Sequence, residues 1–300
     1  MAESLIVPGP VIFDRALIRR RRRRAAALGP ATFLLDRVAD DLADRLGAVL
    51  RRFETAVDLG TPGDAVRIAL RRLGSIDTII ASDVIGRAPP FVAADEEALP
   101  FGDGTLDLVV SALALHAVND LPGVLIQIRR ALKPDGLFLA ALFGGETLTE
   151  LRQAFAAAES EVEGGASPRV APFADLRDAG ALLQRAGFAL PVTDADRLTV
   201  RYESVFGLMH DLRRMGAANA LTARRRTPLK RATLMRMAEI YAKRFADGDG
   251  RVRATFEIVW LSGWAPHPDQ QQPLRPGSAK ARLADALGTD EISTGEKARR

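Results

Sequence analysis

Cysteine is absent from this 300-residue chain, which excludes a disulfide framework, a thiolate zinc site, an iron–sulfur centre and a cysteine nucleophile together. A reducing compartment is compatible with that composition. Lysine is nearly as scarce: it stands only at 133, 230, 243, 280 and 297, so arginine supplies the other 37 of the 42 basic residues. Aromatic residues make up 6% of the chain, and none interleaves with the run Arg19 to Arg24. The stacking platforms that hold single strands are therefore missing, and nucleic acid is not expected as a partner. No apolar stretch approaches the roughly 20 residues of a bilayer crossing. The piece Leu5 to Phe13 is short, is interrupted by Pro8 and Pro10, and precedes the basic run, so it does not read as a signal peptide.

What is present fits a soluble globular protein: 47% hydrophobic and 27% charged residues, with a mean hydropathy of +0.01. One elaborated α/β domain is favoured over two small ones. The formal charge is only +4, yet the isoelectric point is about 9.8. Leu34 to Leu50 reads as an amphipathic helix, with Leu35, Val38, Leu42, Leu46 and Val49 at helical spacing. From Thr55 onward, short apolar runs closed by Gly or Asp alternate with longer amphipathic pieces. That is the pattern of a parallel sheet with crossover helices.

The runs predict strands at Thr55 to Leu59, Asp77 to Ser82, Leu106 to Ser111 and Leu137 to Leu142, with helices at Ala65 to Leu73 and Val124 to Leu132. Lys133-Pro134-Asp135-Gly136 reads as the stop between the last helix and strand. Leu106 to Val110 is nearly all apolar and should lie centrally in the sheet. Helices follow at Thr147 to Glu161 and Leu176 to Ala186. Strands at Leu198 to Tyr202 and Thr255 to Leu261 then bracket helices at Val205 to Met215 and Leu229 to Phe245. Such a pair could form an antiparallel edge. The boundaries are a basic arm over 1–33, a domain over 34–264 with a helical insertion over about 203–250, and a partly disordered tail over 265–300.

Four segments carry candidate chemistry. Val57-Asp58-Leu59-Gly60-Thr61-Pro62-Gly63-Asp64 joins a strand to a helix, where Gly60 and Gly63 let backbone approach a ligand. Asp83 lies 23 residues after Gly60, near the spacing at which an acid meets a ribose hydroxyl pair. Asp95 and Glu96 precede the central strand, and Ser111 through His116 to Asp120 follow directly from it. Ligands of open parallel sheets bind beyond the carboxyl ends of the strands, where these segments converge. Each residue also has a structural reading: Asp83 as a helix cap, His116 as a buried hydrogen-bonded histidine, and Arg224 to Arg226 as a solvated loop.

The order of these motifs resembles a class I S-adenosylmethionine-dependent methyltransferase domain, above all from Leu99-Pro100-Phe101 through Leu106–Ser111 to Leu132-Lys133-Pro134-Asp135-Gly136. More narrowly, several segments resemble the complex I assembly factor 5 group, near the malonyl-carrier-protein methyltransferase of biotin synthesis. They are Val11-Ile12-Phe13-Asp14-Arg15, Leu115-His116-Ala117-Val118-Asn119-Asp120, Phe143-Gly144-Gly145-Glu146-Thr147, Ser167-Pro168-Arg169 and Asp211-Leu212-Arg213-Arg214-Met215-Gly216.

The resemblance implies a Rossmann-like α/β fold: a mostly parallel seven-stranded sheet with an antiparallel edge and a helical insertion. It implies S-adenosyl-L-methionine as cofactor, with Asp58, Gly60 and Gly63 at its amino-acid end, Asp83 at the ribose and Asp95 with Glu96 on the adenine side. Ser111 joins the cofactor-binding set, His116 sits near the donor sulfur, and no metal site is implied. The implied client is a protein, an iron–sulfur subunit of respiratory complex I, with arginine hydroxylation proposed for animal members. The expected setting is cytoplasmic, with peripheral contact to the inner membrane through the basic arm. A protein-arginine hydroxylase on the same fold, an assembly chaperone that has lost its cofactor and a carboxyl methyltransferase acting on an acyl carrier protein are the alternatives.

Departures from the family pattern are specific. Pro62 and Asp64 stand where the methyltransferase loop has its second and third glycines, placing an anion beside the cofactor's carboxylate, and Ala117 replaces a common Trp. His267-Pro268-Asp269 has the His-x-Asp spacing of an iron site, but it lies in the Pro/Gln-rich tail and only His116 and His210 remain as a third ligand. The two arginine runs are expected to lie outside the cofactor site.

Overall fold

In the computed structural model, residues 10–86, 88–270 and 288–289 are described. Internal contacts divide the chain into a unit Met1–Pro266 and a unit His267–Arg300, and the fold below is that of the first. Residues 5–9 of the apolar piece and most of the expected disordered tail fall outside the described residues.

Seven strands form one sheet in the order β3-β2-β1-β4-β5-β7-β6. Strands β1 (Phe53–Leu59), β2 (Ile76–Asp83), β3 (Phe91–Ala93), β4 (Leu106–Ala112) and β5 (Leu132–Phe143) are mutually parallel. Strand β7 (Val252–Trp264) runs antiparallel to β5, and β6 (Ala189–Tyr202) closes the edge antiparallel to β7. Strand β4 is central, and all seven of its residues are buried.

The side chains alternate between two cores, as the period-2 geometry of a strand requires. On one face Leu108, Val110, Leu139 and Phe143 pack beneath α2 (Phe33–Gly47), α3 (Ala65–Arg71), α5 (Thr149–Glu163), α7 (Val205–Arg214) and α8 (Arg231–Phe245). On the other, Val109, Phe138, Ala140 and Leu142 meet α4 (Leu121–Ala131) and α6 (Leu176–Arg185). Each fully buried Leu or Phe in these layers contributes about 1.5–3 kcal/mol. Helices α7 and α8 are the insertion between the two antiparallel strands. Trp260 is buried in β7, donates from Nε1 to Asp196 at 2.9 Å and carries the Arg45 guanidinium 4.2 Å above its ring.

One local expectation is corrected. Helix α4 ends at Ala131 and β5 starts at Leu132, so Lys133-Pro134-Asp135-Gly136 lies inside a strand and is not a stop. The pairing jumps from Leu106 with Leu132 to Leu108 with Leu137, and this bulge absorbs the proline and the positive φ of 62° at Asp135. The basic run, for which the sequence predicted no secondary structure, forms α1 (Arg15–Ala27), capped by Asp14, whose carboxylate accepts the Leu17 N–H at 2.9 Å.

Candidate functional site

The strand order reverses between β1 and β4, and the carboxyl ends of β1, β2 and β4 open a crevice there. Asp58 near the end of β1, Asp83 at the end of β2 and Ser111 in β4 are all buried in it. The turn after β1 is stitched to its neighbours. Ser111 Oγ donates to the Leu59 carbonyl at 2.8 Å, the Ala112 N–H donates to Thr61 Oγ1 at 3.0 Å, and the Gly60 N–H donates to the Ser82 carbonyl at 2.7 Å. Gly60 has φ +69°, and a Cβ there would sit 2.7 Å from Glu96 Cγ and Oε1. Glycine at this position leaves room for the buried Glu96 carboxylate. Gly63 has φ +98°, again outside the range of ordinary residues. Asp64, the anion that replaces a family glycine, is bound by the buried Arg67.

The arginine run does not lie outside this crevice, contrary to the expectation from sequence; it covers it. Arg15 pairs with Asp95 at 2.8 Å and with Glu96, and Arg19 pairs with Asp95. Arg22 Nη1 lies 3.3 Å from Glu96, 3.9 Å from Asp83 and 3.2 Å from the Gly60 carbonyl oxygen. Burial opposes the Arg15 charge, but Glu96 and Asp95 more than offset it and raise its pKa. Burial likewise opposes ionisation of Asp95; the Glu97 N–H and the Arg15 and Arg19 guanidiniums outweigh it and hold the carboxyl below its ordinary range. Sequence periodicity missed this helix because its charges look solvated until the acidic ledge is placed beneath them.

The motif loop after β4 fixes the approach of α1. Asn119 Oδ1 accepts the N–H groups of Ile12 and Phe13 at 2.9 and 2.8 Å, and Asn119 Nδ2 donates to the Phe13 carbonyl at 3.2 Å. The insertion holds the same segment from above, through the Asp14 N–H to the Ala220 carbonyl at 2.9 Å. Sequence reading did not single out Asn119, although the motif that contains it was noted.

Beside the crevice lies a cavity of about 510 Å³, lined by Pro62, Gly63 and Ile85 and by residues of α1, the loop around residue 170 and the end of α7. His116, in a short 3-10 turn Leu115–Ala117, stands in its wall with its ring 4.6 Å from Phe143 and 5.5 Å from Phe173. Its Nδ1 is buried and finds no hydrogen-bond partner among the described residues. Removal from water, with a smaller contribution from Arg22, pushes the imidazole down to about 3, so the ring is neutral. Arg169 is positioned at another wall by the fully buried Glu159, which also accepts the Ser167 N–H at 2.7 Å. The predicted residues thus divide: Asp58, Gly60, Asp83, Asp95, Glu96 and Ser111 around the crevice, Gly63 and His116 on the cavity. No cluster of three or more metal-ligating acids or histidines occurs among the described residues.

Comparison with known proteins follows the same geometry. A family profile described as a methyltransferase domain matches residues 57–140, from β1 into β5. The mitochondrial arginine-hydroxylase NDUFAF5 of Homo sapiens is 41% identical over 287 residues, covering 91% of this chain and 83% of that protein. The malonyl-acyl-carrier-protein O-methyltransferase of Halorhodospira halophila is 36% identical over 266 residues, covering 84% of this chain and 88% of that one. The solved structure of a candidate methyltransferase from Bacillus halodurans matches with a TM-score of 0.52 at 18% identity, over 76% of this chain and 99% of that one, a likeness of fold.

Proposed function

The chain belongs to the NDUFAF5 family, on the class I methyltransferase fold, and from that premise we propose that it binds S-adenosylmethionine and modifies a protein client during respiratory complex I assembly. The methyltransferase domain and the fold together imply that cofactor. The observation that carries the reading is the convergence of buried acids on the β1/β4 switch point beside a mainly apolar cavity.

The residues fit the cofactor chemically. A ligand with an ammonium group, a sulfonium and a hydroxyl pair suits carboxylate acceptors, and Asp58, Asp83 and Glu96 supply them where Gly60 and Gly63 keep the backbone open. In this assignment Asp58, Gly60, Gly63 and Ser111 hold the amino-acid end, Asp83 the ribose, and Asp95 with Glu96 the adenine side. His116 forms the wall nearest the reacting methyl group. Once bound, the cofactor supplies an activated methyl group; the protein supplies position and a dry cavity. Arg22 now holds a positive charge at Glu96 and Asp83, and it would have to give up that place for the ribose and adenine assigned to these carboxylates to reach them.

The client we assign is an iron–sulfur subunit of complex I, and the setting is cytoplasmic. Among the described residues no helix is long and apolar enough to cross a membrane. The exposed Arg20, Arg23 and Arg24 of α1 are the residues we assign to contact with an anionic inner-membrane surface. Titration of the purified chain with S-adenosylmethionine and S-adenosylhomocysteine tests the cofactor, and absence of binding to both sinks the reading. Mass spectrometry of the client from a deletion strain tests the reaction. A lost methyl group supports it, whereas a lost hydroxyl on an arginine supports the activity in the human relative's name.

A further inference from the structure

Helix α1 lies between two layers that hold it in different ways. On its lower side Arg15, Arg19 and Arg22 pair with the acids of the crevice. On its upper side the segment 214–224 of the insertion grips it at both ends. At the amino end residues 11–14 lie against that segment, with an antiparallel bridge from Phe13 to Leu221. The Thr222 N–H donates to the Ile12 carbonyl at 2.9 Å, Thr222 Oγ1 donates to the Val11 carbonyl at 2.8 Å, and Arg224 pairs with Asp14 at 3.3 Å. At the carboxyl end Arg214 Nε donates to the Gly29 carbonyl at 2.7 Å, and the Ala31 N–H donates to the Arg214 carbonyl at 3.3 Å. Between these ends Gly216 takes φ +72°, and a Cβ there would meet the Arg22 Cα at 3.2 Å. The insertion therefore bears on the backbone of the residue whose side chain reaches Glu96 and Asp83. No cofactor role absorbs the motif Asp211 to Gly216, but its Arg214 and Gly216 are what fit the insertion to α1.

Arg15, Arg19 and Arg22 stand at i, i+4 and i+7, on one face of the helix. Clearing Asp95, Glu96 and Asp83 for a ligand means breaking all three sets of ion pairs at once, and a helix that lifts does so in one movement. It cannot lift while its two ends stay tied to the insertion. Resting on the cofactor reading above, we propose that α1 and the segment 214–224 form one gate: the insertion latches α1 shut over the crevice, so that the latched state and the cofactor-bound state exclude one another. The gate also walls the cavity, which Phe13, Ile18 and Ala25 line from the arm and residues 217–220 line from the insertion. Release of the acids therefore opens the cavity as well. By linkage, a partner that draws the insertion away raises cofactor affinity by the factor by which the cofactor raises the partner's.

The test uses Thr222 and Arg224, whose hydrogen bonds and ion pairs among the described residues go only to the arm and to their own loop. S-adenosylmethionine and S-adenosylhomocysteine are titrated calorimetrically into the full chain, into Thr222→Val and Arg224→Gln, and into Thr222→Ser and Arg224→Lys, which keep the hydroxyl and the charge. Both loosening substitutions should tighten the binding of both ligands by about threefold to tenfold, and the conservative variants should stay close to wild type. Hydrogen exchange in the wild type should rise on ligand binding in residues 11–27 and in 217–224 together. Circular dichroism checks the fold of each variant, and the exchange of the wild type carries the test if neither loosening variant folds. Unchanged or weaker binding in both variants overturns the gate and leaves the cofactor reading standing. So does ligand-induced exchange that falls in α1, or that rises there while 217–224 stays protected. Binding by the loosened variants alone supports the gate, because the latch then outweighs the ligand in the wild type. If no protein binds either ligand, the cofactor reading falls and the gate falls with it.

Discussion

Arg22→Gln should tighten the binding of S-adenosylmethionine, because the wild-type chain must give up two ion pairs before Asp83 and Glu96 can accept the ribose and adenine groups assigned to them. Arg22 lies 3.3 Å from Glu96 and 3.9 Å from Asp83, both nearly inaccessible to water. At an effective dielectric of about 20, one such pair at this separation is worth about 4 kcal/mol in gross Coulomb energy. Desolvation cancels much of it, leaving about 1.5–3 kcal/mol net for a charge-assisted contact. A cofactor that replaces Arg22 gains its own contacts to the same carboxylates minus that amount. Removing the guanidinium should therefore improve affinity by about tenfold to a hundredfold. The gain should be similar for S-adenosylmethionine and S-adenosylhomocysteine, which share the ribose and adenine assigned to Asp83 and Glu96. Calorimetric titration of both ligands into both proteins measures this, with Arg22→Lys as the control that keeps the charge. Hydrogen exchange of the amides in α1 should rise when ligand binds to the wild type. Weaker binding of both ligands by the Gln variant would show that Arg22 belongs to the cofactor site and does not compete for it.

Four other substitutions have definite outcomes. Gly60→Ala places a methyl group 2.7 Å from the Glu96 carboxylate at φ +69°; it should cost at least about 1–2 kcal/mol in chemical denaturation and lower cofactor affinity. Asn119→Ala removes three hydrogen bonds to Ile12 and Phe13, so exchange protection should drop in α1 while the sheet amides stay protected. Glu159→Gln leaves Arg169 without its buried anion and should destabilise the fold by roughly 3 kcal/mol; an unchanged denaturation midpoint would contradict the buried pairing. His116 binds its proton far more readily unfolded, at its ordinary 6.5, than folded, at about 3. Its contribution to stability is therefore complete above 6.5 and is lost as the pH falls toward 3, at up to about 1.4 kcal/mol per pH unit. His116→Asn should flatten that acid slope, and a wild-type imidazole resonance titrating near 6.5 would contradict it.

Much of the sheet was legible because the apolar runs obey strand periodicity on their own. Leu106 to Val110 announced a strand covered on both faces, and it is the middle one. Phe91–Ala93 was not legible, since three residues carry no period. Pro134 and Gly136 misled because local turn chemistry was overridden by a bulge whose pairing is set by Leu106 and Leu108 on another strand. The acids of the site were legible from their positions after strands. What covers them was not: Arg15, Arg19 and Arg22 gain their meaning from Asp95, Glu96 and Asp83, some 60 to 80 residues away. A charge run reads as solvated until its counter-charges are placed in space.

The seamless passage from α4 into β5 governs where this chain can tolerate change in length. At Ala131 and Leu132 no connecting residue exists to take up a deletion. Loss of one residue within 137–143 would exchange the faces of β5, sending Leu139 and Phe143 toward the helices that now receive Phe138 and Leu142. At the carboxyl ends of the strands the connections are longer, over 60–64, 84–90, 113–120 and 144–148. Insertions are thus best accommodated in those connections, at the end of the sheet that meets ligands, whereas a deletion at the α4–β5 junction is transmitted into the strand.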